Sequence, residues 1–129
     1  MPIRPLSPHL SVYKFKYTLA TSILNRLTGI ALSFALLLLA FWLMSVASGT
    51  LAQQRAQRLL GLPPLKLVYA AFLFAFCYHL CAGIRHLVWD TGHGLERAQS
   101  QRSAWLIVSA SLLLTLILGY GLLHAGRTP

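Results

Sequence analysis

Leu27–Ser48 reads LTGIALSFALLLLAFWLMSVAS, a stretch without one charged side chain. It lies inside a charge-free run of 28 residues between Arg26 and Arg55; similar runs of 18 and 24 residues separate Lys66 from Arg85 and Arg102 from Arg127. A helix needs roughly 20 apolar residues to cross about 30 Å of hydrocarbon. Three transmembrane helices are therefore predicted. Composition agrees, since 57% of the 129 residues are hydrophobic and only 10% charged, an unusual balance for a soluble domain.

Working outward, PIRPLSPHLSVYKFKYT (2–18) precedes the first run, and no small-residue cleavage site closes a short apolar core. The run thus reads as a retained anchor rather than a secretory signal. Pro2, Pro5 and Pro8 spoil an amphipathic transit helix, so the chain reads as bacterial, or already processed. Tyr13, Phe15 and Tyr17 suit the headgroup level. Helix one is expected from about Ser22 to Ser48, ended by Gly49. QQRAQRLLGLPP (53–64) then reads as a short outer connection. Pro63 and Pro64 can open helix two, which continues to about residue 90. TGHGLERAQSQR (91–102) is the inner connection, and helix three occupies about Ser103 to His124. The predicted fold is an all-α, single-domain membrane protein, residues 1–129, with an inner-side N-terminal segment (1–21).

The net charge of +9 comes from Lys and Arg at the ends of apolar segments rather than on one polar face, which argues for topology and against nucleic acid. Arg4, Lys14, Lys16, Arg26, Arg85, Arg97 and Arg102 fall on the N-terminal side of the membrane, against Arg55, Arg58, Lys66 and Arg127 opposite. The positive-inside rule then turns the N-terminus toward the cytoplasm, or toward a mitochondrial matrix. The bacterial inner membrane is the expected location.

Three helices hide little polar surface, so ionisable groups within them suggest helices from other subunits. His79 is the deepest, thirteen residues past Lys66 and ten before Trp89, or about 15 Å from that end. Two readings are open: a neutral packing histidine bonded to a neighbouring helix, or an axial ligand of haem iron. His79, Gly83 and His86 share a helical face, and the glycine leaves room for a flat macrocycle or a close helix. Arg85 and His86, nearer the interface, can meet haem propionates; for Arg85 the alternative is snorkelling to headgroups. His9, His93 and His124 do not match His79 in depth, so a second ligand is expected from a partner chain. Cys77 and Cys81 lie off the His79 face and read as small core residues, not a disulfide or metal pair.

A second cluster lies at the start of helix one. Ser22, Asn25 and Arg26 project from one face within a turn, where they can bond a quinone carbonyl and stabilise its reduced form. The alternative is a helix-start serine beside a topology-setting arginine. Asp90 and Glu96 are the only acidic residues, too few and too peripheral for a proton relay. Neither a phosphate loop nor a hydrolytic triad is present, so independent catalysis is not expected.

RPLSPHLSVYKFKYT (4–18), SILNRLTG (22–29) and YHLCAGIRHLVWDTGHG (78–94), in this order within a three-span chain, together resemble the cytochrome b membrane-anchor subunits of succinate dehydrogenase, respiratory complex II. The resemblance covers nearly the whole chain. It implies a bundle completed by a smaller anchor subunit, docked to an iron–sulfur subunit and a flavoprotein subunit. Haem b would be shared between the anchors, and ubiquinone reduced near the inner interface. Carried over by position, the haem ligand falls on His79 and the quinone residues on Ser22 and Arg26. Asn25, where the family often has histidine, falls with Arg85 and His86 in the neighbourhood of the propionates. A purely structural anchor without cofactor, or a small transporter with His79 and Arg26 along its path, are the other classes weighed.

Overall fold

The computed structural model describes residues 17–125; the sequence features at His9, Tyr13, Phe15 and Arg127 lie outside them. The described chain is four helices, α1 (Tyr17–Ala47), α2 (Thr50–Leu60), α3 (Pro63–Asp90) and α4 (Arg97–Ala125). Three of them, α1, α3 and α4, are long and apolar enough to cross a membrane. At about 1.5 Å per residue each is roughly 42–46 Å long, more than the hydrocarbon thickness, so their ends reach the headgroup layers.

The helix starts differ from expectation. α1 begins at Tyr17 rather than Ser22, and α4 at Arg97 rather than Ser103. Both starts are polar turns that hydropathy assigns to connections. The Tyr17 hydroxyl donates to the Arg97 carbonyl at 3.1 Å and ties the two starts together. The outer connection is also corrected: most of it is helix α2. Ala52, Ala56, Leu59 and Leu60 recur at helical spacing within QQRAQRLL and its flanks, a short amphipathic pattern hidden by the charges of Arg55 and Arg58. Gly49 makes the turn into α2 at φ 101°, a conformation side chains rarely adopt. Pro63 and Pro64 open α3 as expected, and the Tyr69 hydroxyl donates to Leu60 O at 2.8 Å, fastening α3 to the end of α2.

α3 is the central helix, packed against both α1 and α4. Of the three apolar spans it is the most enclosed, 22% buried against 6% and 11%. Its core side is small or flat: Ala75, Cys77, Tyr78 and Ala82 are buried, and Ile107 of α4 packs with Tyr78 and Ala82. Cys81 packs at the edge of this cluster, and both cysteines are free thiols. Tyr78 is completely buried, and its hydroxyl donates to Thr21 O of α1 at 3.3 Å. Most large apolar residues of α1 and α4 remain exposed, including Phe34, Leu36, Leu116 and Leu122. For a membrane chain those are faces for lipid and neighbouring helices.

Candidate functional site

His79 is half-buried where α3 crosses α1. Its Nδ1 lies 3.2 Å from the Asn25 carbonyl oxygen and 3.3 Å from Thr28 Oγ1. Asn25 O has no proton to give, so Nδ1 carries the hydrogen and donates. In the neutral imidazole this leaves the lone pair on Nε2, the state in which imidazole binds a metal. The approach depends on Gly29, since a Cβ there would stand 3.2 Å from His79 Cε1. Small residues let transmembrane backbones approach in this way.

Two features beside the imidazole fit an added planar, partly charged group. A Cβ built on Gly83, one turn from His79, meets nothing within 4 Å, so that side of α3 is open. Asn25 Oδ1 is buried and without a hydrogen-bond partner among the described residues. Buried amides rarely stay so, and this one lies on the turn of α1 whose carbonyl holds His79.

The C-terminal end of α3 forms a second feature. Thr21 and Ser22 of α1 face Arg85, His86 and Trp89 across a cleft of about 190 Å³. Enclosed small-molecule sites run to roughly 300–1,000 Å³, so by itself the cleft would hold only part of a ligand. Trp89 is its platform. The indole Nε1 donates to Gly94 O at 3.1 Å, the Arg85 guanidinium carbon sits 4.0 Å above the ring centroid, and the His86 ring meets it edge-on at 5.2 Å. Arg85 is further held by α4: Nε donates to Ser103 Oγ at 2.9 Å, and Nη2 to Ser100 O at 2.7 Å and Ser100 Oγ at 3.1 Å.

The structure thus brings Ser22 together with Arg85 and His86, three residues that the sequence divides between two constellations. Arg26 is exposed one turn further along α1 and does not line this cleft. Arg85 does not stand alone; its bonds to Ser100 and Ser103 join α3 to α4. His93 lies in the α3–α4 turn, its Nδ1 3.0 Å from Thr91 Oγ1, and His124 stacks on Tyr120 at 4.3 Å near the end of α4. Sequence reasoning missed Thr28, Gly29, Ser100 and Ser103. Only Gly29, a small residue inside an apolar helix, leaves a signal in the sequence, because the other three act through contacts far along the chain.

The comparisons agree with this architecture. Residues 1–118 match the model of the succinate dehydrogenase/fumarate reductase transmembrane subunit. The succinate dehydrogenase cytochrome b556 subunit of Rickettsia typhi is 41% identical over 115 residues, covering 89% of this chain and 90% of the relative. Its counterpart in Paracoccus denitrificans is 35% identical, covering 88% of each. The mitochondrial succinate dehydrogenase cytochrome b560 subunit of Sus scrofa is 36% identical over 92% of this chain and 69% of its own length. With its three apolar spans and its α1–α3 histidine seat, the chain belongs to the family of succinate dehydrogenase/fumarate reductase transmembrane subunits, as a cytochrome b membrane anchor.

Proposed function

We propose that this chain binds haem b through His79 and contributes Ser22 and Arg26 to a ubiquinone site, linking succinate oxidation elsewhere in the complex to quinone reduction in the membrane. The observation that supports it most is the seat of His79: Nδ1 lies 3.2 Å from the Asn25 carbonyl oxygen, which leaves Nε2 as the nitrogen available to iron. Haem, when bound, supplies a one-electron redox centre in a water-poor layer. The residues of this chain orient the imidazole, leave space at Gly83, and offer the Asn25 amide, His86 and Arg85 as polar neighbours for propionates. Ser22 can donate to a quinone carbonyl, and Arg26 can stabilise the negative charge that reduction creates.

On this reading a smaller anchor subunit would supply the second haem ligand, and an iron–sulfur subunit and a flavoprotein subunit would dock on the inner side. The chain sits in the bacterial inner membrane with its N-terminus cytoplasmic. The test is a reduced-minus-oxidised spectrum of the purified complex carrying His79→Leu. Loss of the haem b band is expected; a normal band would refute the ligand assignment.

A further inference from the structure

Thr28 is one of four buried polar residues among the described residues, at 5% exposure where the apolar part of α1 begins. Its hydroxyl donates to Asn25 O at 2.9 Å. That bond alone says little, because threonine and serine within helices routinely bond back to a carbonyl one turn earlier. Ser33, which donates to Gly29 O at 3.1 Å on an exposed face, does only that. Thr28 differs because its oxygen also lies 3.3 Å from Nδ1 of His79, on another helix and 51 residues away.

The protons decide the roles. Thr28 has one hydroxyl hydrogen, and it points at Asn25 O. Its oxygen therefore presents lone pairs to His79, as Asn25 O does from 3.2 Å. Were Nδ1 the unprotonated nitrogen, Thr28 could turn its hydrogen to it, but Asn25 O would then oppose a lone pair at contact distance. The seat is consistent only with Nδ1–H shared between two acceptors, and Gly29 sets how closely the ring can sit against them.

We propose that Thr28 is a positioning residue for the haem-ligating imidazole: its side-chain oxygen and the Asn25 carbonyl together hold the His79 Nδ1 proton, fixing which nitrogen faces the iron and how basic it is. The inference rests on the assignment of His79 as ligand. Acceptors on the remote N–H raise the basicity of a metal-bound imidazole and restrain its ring. A more basic ligand favours ferric over ferrous iron, so removing one acceptor should raise the haem potential.

The test uses the whole purified complex, with Thr28→Val, which keeps the shape without the hydroxyl, Thr28→Ser, which keeps the hydroxyl, and His79→Leu alongside. Thr28→Val should raise the haem midpoint potential, alter the low-spin ferric electron paramagnetic resonance signal, and release haem to excess apomyoglobin about 10-fold faster. Thr28→Ser should behave as the unaltered protein. Haem absent from Thr28→Val but kept in Thr28→Ser would support the proposal equally. Identical potentials and release rates in the unaltered, Thr28→Val and Thr28→Ser proteins would overturn it, as would a Thr28→Ser change as large as that of Thr28→Val. Electron–nuclear double resonance of the unaltered ferric complex in light and heavy water should find an exchangeable proton on the remote imidazole nitrogen. Absence of that proton would overturn the proposal even if Thr28→Val did not assemble. A normal haem in His79→Leu would instead refute the ligand assignment beneath it.

Discussion

Gly29 lies against the His79 ring so closely that a Cβ on it would stand 3.2 Å from Cε1. Gly29→Ala asks the ring to give by a few tenths of an ångström, and Gly29→Val adds two further methyl groups to a Cβ that is already tight. The alanine variant should retain haem with a shifted absorption band. The valine variant should lose most of it, as measured by the pyridine haemochrome content of the purified complex.

Arg85 is a polar link from α3 to α4 through Ser100 and Ser103, with its guanidinium seated on the Trp89 ring of its own helix. Hydrogen bonds between transmembrane helices average about 0.6 kcal/mol and reach about 1.7 kcal/mol, with charge-assisted bonds at the upper end. Arg85→Leu should therefore destabilise the anchor by about 1–3 kcal/mol, read as a lower midpoint of detergent-induced or thermal dissociation. Arg85→Lys should recover only part of this loss, since an ammonium cannot reproduce the planar fork that meets two serines and stacks on indole.

Arg26 is exposed on α1, one turn from Ser22, and takes no part in packing the core. Arg26→Leu should therefore leave assembly intact. Quinone reduction should fall by about 10-fold or more, as for loss of a charge-stabilising donor. Succinate oxidation by an artificial dye acceptor should be unchanged, because on the proposed function that step belongs to a separate flavoprotein subunit. Equal turnover with both acceptors would argue against a quinone role for Arg26. Ser22→Ala should give a smaller loss in the same direction.

Tyr78 separates packing from hydrogen bonding at the centre of the bundle. Tyr78→Phe removes only a 3.3 Å bond to Thr21 O, and about 0.6 kcal/mol is expected. Tyr78→Ala empties the middle of the Tyr78–Ala82–Ile107 cluster and should cost about 3–5 kcal/mol. Thermal dissociation of the complex should distinguish the two, with haem content following the second.

Much of this was legible in the sequence because the bilayer imposes a simple rule. Uninterrupted apolar length decides what spans, as Leu27–Ser48 shows, and a proline pair at 63–64 can only begin a helix there. The rule fails at Tyr17–Thr21 and Arg97–Arg102, where polar side chains suggest connections although the backbone continues its helix into the headgroup layer. It fails at Thr50–Leu60 as well, because eleven residues are too short for a spanning signal and are helical through an amphipathic face.

The depth of His79, the order of its motifs and the membrane class are properties of the chain read in one dimension, and the sequence by itself determined them. Which nitrogen of His79 holds its proton, and that Arg85 turns to α4 while Ser22 joins its cleft, were decided only when α1, α3 and α4 packed. The physical reason is reach. Hydropathy sums over neighbours along the chain, whereas a hydrogen bond forms at about 3 Å between atoms whose residues, like Thr28 and His79, stand 51 positions apart.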